Sequence, residues 1–141
     1  MEEVEFLQYI YKNAEMGIIG IDDVYEKIDD NQFKKVLKNQ RKEYEDVLIK
    51  TSSYLDKYDE EGKHNGLMAK VMTKMMSEMV PLKDNKTNVV AKMMMDGTNK
   101  GIVELVEKIN AYNNSDKDLV ILAFNYQKTL ENNIEELKKY L

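Results

Sequence analysis

The side chains that most often carry protein chemistry are nearly absent here, because the chain holds one histidine and no cysteine. Without thiols there is no disulfide scaffold, no thiolate metal ligand and no sulfur nucleophile. The histidine, His64, sits in Asp59-Glu60-Glu61-Gly62-Lys63-His64-Asn65-Gly66, a polar stretch punctuated by glycine. A histidine that carries a phosphoryl group in a helical module stands on a helix in the order His-x-x-Lys-Gly, whereas this run is His64-Asn65-Gly66-Leu67-Met68. His64 therefore reads as a surface side chain in a loop; a signalling bundle phosphorylated at His64 is the alternative. Methionine is the other unusual supply, with Met68, Met72, Met75, Met76 and Met79 in one cluster and Met93, Met94 and Met95 in another. Thioethers at helical spacing fill irregular cores, form adaptable apolar surfaces for a partner or a second copy, or bind Cu(I). Successive helical residues point about 100° apart, so Met93, Met94 and Met95 cannot all face inward. Gly17, Gly20, Gly97 and Gly101 lack the preceding strand and following Lys-Ser/Thr of a phosphate-cradling loop. Small residues at these positions are expected to let the first and third helices approach closely.

The elements that must position these residues are helices. Apolar residues recur at helical spacing through nearly the whole chain, and neither alternating runs nor Asn-Gly hairpin turns between such runs occur. The first helix is expected over about Val4 to Ile28, with Leu7, Ile10, Ala14, Gly17, Ile21, Val24 and Ile28 along one face. Asp29, Asp30 and Asn31 break it. Asp29 with Gln32 reads as the cap of a second helix, which carries Phe33, Leu37, Tyr44, Leu48, Thr51 and Leu55 inward and ends near Tyr58. After the polar loop comes a short helix over Leu67 to Val80, closed by Pro81. A third long helix starts at Thr87 or Asn88 and buries Val90, Met94, Ile102, Leu105 and Ile109. Asn113, Asn114 and Ser115 form the last break, with Ser115 and Asp118 as a capping pair. The fourth helix, from Leu119 onward, buries Leu119, Ala123, Tyr126, Leu130, Ile134, Leu137 and Leu141. Four apolar stripes pack against one another as a bundle of two hairpins joined by a long connection, which lets the second and third helices run parallel.

Length and charge narrow the range of function. The 141 residues, 43% of them hydrophobic, suit one domain spanning 1–141 with a core of its own. A formal charge of -5 without a basic stripe argues against a nucleic-acid partner. The most basic stretch, Lys34 to Lys42, runs directly into Glu43, Glu45 and Asp46 and reads as an ion-paired helix face. The acidic start and the lack of a long apolar run predict a cytoplasmic protein with no membrane association.

The two hairpins echo each other. Gly20 to Ile28 aligns without gaps on Gly101 to Ile109, and Asn39 to Leu55 lies against Asn125 to Leu141. Duplication explains this, as does the similar composition of any two amphipathic helices. A duplicated helical hairpin joined by a long crossover resembles the ferritin-like superfamily. The chain looks most like small ferritin-like proteins of low-GC bacteria, through Asn13-Ala14-Glu15-Met16-Gly17-Ile18-Ile19-Gly20, the acidic turn and the Lys-Glu-Tyr-rich second helix. The resemblance implies an all-α, ferritin-like four-helix bundle whose long crossover contains the short extra helix.

Di-iron centres in such bundles use carboxylates on the first and third helices and Glu-x-x-His on the other two. The matching stretches here are Glu45-Asp46-Val47-Leu48 and Glu131-Asn132-Asn133-Ile134, with Leu48 and Ile134 in place of imidazole. An all-carboxylate centre of Glu15, Glu45, Asp96 and Glu131 is the alternative, and oxygen ligands alone would favour Mg or Mn. The leading expectation has no catalytic residue, no cofactor and no metal ligand: a non-enzymatic structural or protein-interaction module that self-associates, or meets a protein partner, through its Met-rich surface.

Overall fold

The computed structural model describes residues 2–58, 86–113 and 115–141. They form α1 (Glu3–Val24), a 3₁₀ turn (Tyr25–Lys27), α2 (Asn31–Tyr58), α3 (Thr87–Ala111) and α4 (Lys117–Lys138), with no strand among the described residues. The expected loop with His64, the short helix over Leu67–Val80 and the cluster Met68–Met79 all lie outside the described residues.

Named contacts fix the helix directions. Asp22 of α1 meets Arg41 of α2, and the site of Gly17 faces Tyr44, so the first pair is an antiparallel hairpin. Between α1 and α3, Tyr9 reaches Glu104 and Asn13 reaches Gly101, again antiparallel. Between α2 and α4, Phe33 meets Tyr140 and Tyr44 meets Tyr126, antiparallel once more. It follows that α2 and α3 run parallel, with Tyr58 and Thr87 at opposite ends of the bundle. Among the described residues, no helix is long and apolar enough to cross a membrane.

The core follows the expected stripes with physical corrections. The first α-helix stops at Val24 and tightens into the 3₁₀ turn before Ile28. The cap of α2 is Asp30, not Asp29: its carboxylate accepts from the backbone N–H of Gln32 and of Phe33, each at 3.0 Å. Likewise α4 is capped by Asp116, which accepts from Asp118 N–H, not by Ser115. Leu48, Met94, Ile102 and Ile134 are only partly buried, and Leu141, beyond the last turn of α4, is exposed. Their places in the core are taken by Phe6, Ile18, Gln40, Val47, Ala91, Thr98, Leu122 and Asn133. Of the four helical glycines, Gly20 faces Met94 and Gly101 faces Asn13, as a close α1–α3 approach requires. Gly17 instead makes room for the ring of Tyr44 on α2, and Gly97 faces open space.

The repeat reaches the core. In the register that sets Asn39 on Asn125, buried Phe33, Leu37, Gln40, Tyr44, Val47 and Thr51 fall on buried Leu119, Ala123, Tyr126, Leu130, Asn133 and Leu137. The capping residue Asp30 falls on the capping residue Asp116 in the same register.

Candidate functional site

Polar side chains of three helices meet at one node. Asn13, on the inner side of α1, donates from Nδ2 to the carbonyl of Gly101 at 3.0 Å and accepts at Oδ1 from the hydroxyl of Tyr126. One amide thus joins three helices. The ring of Tyr126 meets Tyr44 edge-on, with centroids 6.3 Å apart. Close by, Tyr9 donates to Glu104 at 2.9 Å, with the Lys108 ammonium 5.1 Å from its ring centre. Burial raises the pKa of Tyr126 well above the usual phenol value and raises that of Tyr44, and burial followed by Glu104 does the same for Tyr9. These hydroxyls stay neutral at any physiological pH, so the node orients helices rather than moving protons.

Two buried side-chain amides have an unpartnered nitrogen among the described residues, Gln8 Nε2 and Asn133 Nδ2. Asn133 is 2% exposed. Its backbone carbonyl accepts from Gln40 Nε2 at 3.4 Å, a contact that survives any side-chain change. Asn133→Leu removes the orphan Nδ2 but also a hydrogen-bond partner of the buried Tyr44 hydroxyl. It should destabilise the fold by about 1 kcal/mol, read as a lower urea midpoint at unchanged slope; a higher midpoint would mean that Thr98 alone satisfies Tyr44.

The carboxylates considered for a metal centre do not converge. Glu45 accepts from Arg41 Nη1, while Asp22 takes the same guanidinium at 2.7 and 3.0 Å. Glu15 stands near this ion cluster; partial burial raises its pKa, and the charge of Arg41 acts the other way. Asp96 is exposed on α3, and exposed Glu131 accepts from Gln127 on its own helix. Among the described residues, no three His, Asp or Glu side chains are placed to share a metal ion.

The outer face of the α3–α4 hairpin is apolar where solvent meets it. Ile109, Asn110, Lys117, Val120, Ile121 and Phe124 line an open hollow of about 610 Å³. Ile121 is 57% and Phe124 51% exposed. The repeat supplies an internal control. In the register of Asn39 on Asn125, Val120, Ile121 and Phe124 correspond to Lys34, Lys35 and Lys38 of the first hairpin. The same helical positions are charged in one hairpin and apolar in the other, so bundle packing does not demand an apolar face there. A sequence signal existed: Leu119 to Phe124 are six consecutive apolar residues, more than an inward stripe can hold. Met93, Met94 and Met95, by contrast, are all partly buried against the core.

The chain matches no protein-family model, no curated protein and no solved structure, so the reading of its role rests on this geometry.

Proposed function

We propose that the chain is a non-enzymatic helical bundle of ferritin-like plan, with a degenerate centre, that works by associating with protein, first of all with a second copy of itself. The observation that carries this reading is the exposed apolar face of α3 and α4, where Ile121 and Phe124 stand at positions that the first hairpin fills with lysine. Contiguous exposed apolar surface is costly in water and is the usual mark of an interaction site. A two-fold contact needs projections and a recess on the same patch, and this face has both. Asparagine and tyrosine at the bundle centre favour a structural interior over a catalytic one. Association through the Met-rich surface rests largely on Met68 to Met79, which lie outside the described residues; Met93, Met94 and Met95 are partly buried, so the reading is placed on the hairpin face.

The test is sedimentation velocity across a hundredfold range of concentration (about 1.4 kcal/mol per decade of dissociation constant). The wild type should self-associate as concentration rises. Ile121→Lys with Phe124→Lys copies the first hairpin onto the second, and it should leave a monomer of unchanged helicity. A wild type that stays monomeric throughout, or a double variant that associates equally well, overturns the proposal.

A further inference from the structure

One end of the bundle is tied by a single cluster of side chains drawn from every helix. Glu3, in the first turn of α1, accepts from the hydroxyl of Tyr112 at 3.2 Å and from that of Ser115. Tyr112 follows the last residue of α3, and its ring stacks on Phe6 of α1 at 4.5 Å. Its hydroxyl also accepts from the backbone N–H of Asp116 at 3.1 Å. Asp116 caps α4 through Oδ1 and, through Oδ2, accepts from the hydroxyl of Tyr58, the last residue of α2. Two carboxylates thus receive the hydrogen bonds that hold four helix ends together.

We propose that this cluster is a carboxylate latch that acid releases locally, freeing the ends of α1, α2 and α4 while the middle of the bundle stays folded. Protonation replaces the charge-assisted bonds from the hydroxyls of Tyr58, Ser115 and Tyr112 by neutral ones about half as strong, since each hydroxyl can also accept from the carboxyl proton. The node of Asn13, the carbonyl of Gly101 and the neutral hydroxyl of Tyr126 has no such dependence; beside it, the bond from Tyr9 to Glu104 ends on a carboxylate. The surroundings of both carboxylates point the same way. The Ser115 hydroxyl lowers the pKa of Glu3, and the Tyr58 hydroxyl lowers that of Asp116. Among the described groups, those acting on Asp116 are Tyr58 and Lys57 from α2, Glu3 from α1 and, through its own N–H, Tyr112 beyond α3. Those acting on Glu3 are Ser115, Tyr112 and Asp116. A carboxylate with a lowered folded pKa contributes stability above its ordinary value and loses it as pH falls through the folded value. Release therefore begins below the ordinary values of 4.5 for Glu3 and 3.8 for Asp116 and completes at lower pH.

The apolar face enters this proposal only through Lys117, next to Asp116, so it stands or falls independently of self-association. Hydrogen exchange on the whole chain at a concentration where it is monomeric, corrected for intrinsic rates, tests it. Between pH 7 and pH 2, protection around the first turns of α1 and α4 and in the last turn of α2 should fall severalfold, while Leu37, Tyr44 and Leu130 change little. Glu3→Gln with Asp116→Asn should remove the pH dependence at that end, because the amides still accept these hydrogen bonds but no longer titrate. Tyr58→Phe should free the end of α2 alone. Loss of protection everywhere at once, no loss at the ends, or wild-type behaviour in the Gln/Asn variant overturns the latch.

Discussion

Phe6→Ala should lower the unfolding free energy by about 3–5 kcal/mol. Phe6 is fully buried, so its loss removes transfer free energy and leaves a void that fixed helices on several sides fill poorly. It also removes the surface on which Tyr112 stacks at an interplanar angle of 12°, loosening the residue whose hydroxyl serves both Glu3 and Asp116. Urea denaturation followed by helix content gives the number directly. A loss below about 1.5 kcal/mol would mean that α1 and α3 collapse into the gap, since the spread among such truncations reflects how far a site relaxes.

The second large effect is a contrast between two glycines. A Cβ at Gly17 would lie 2.5 Å from the Tyr44 ring, and that ring is itself buried with its edge against Tyr126. At Gly97 a Cβ would meet nothing within 4 Å. Both replacements gain about 0.8–1.0 kcal/mol of helix propensity, but only the first must displace a packed ring, at a cost of about 3 kcal/mol. Gly17→Ala should therefore destabilise by about 2 kcal/mol while Gly97→Ala stabilises by about 1 kcal/mol. The same chemical change with opposite signs isolates packing from backbone entropy. Two variants moving in the same direction would place Tyr44 elsewhere.

Helix identity and the antiparallel hairpins follow from apolar spacing and short connections; the long middle connection only allows parallel second and third helices, and the contacts between helices decide it. What escaped has definite causes. Asp29 and Asp30 are equally good caps, as are Ser115 and Asp116, and a one-residue shift depends on backbone angles that composition does not encode. Gln40 and Asn133 are core residues of polar type, invisible to a stripe drawn from apolar residues alone. Gly17 gave no sign that its neighbour would be Tyr44, because contacts between helices depend on how they turn about their axes. The outer face of α4 is legible in Leu119 to Phe124, because an inward stripe holds only half of that run and leaves Val120, Ile121 and Phe124 outside it.

The way the hairpins meet also orders events as the chain folds. Contacts within each hairpin form early, because short connections make loop closure cheap. The contacts that join the hairpins link residues as far apart as Asn13 and Tyr126, 113 positions along the chain. Loop closure must precede those gains, and its entropic cost grows only slowly with length. Contact order therefore predicts late docking of the two hairpins, which φ-values test: substitutions at Gly17 or the caps should change the folding rate more, relative to stability, than those at Asn13 or Tyr126.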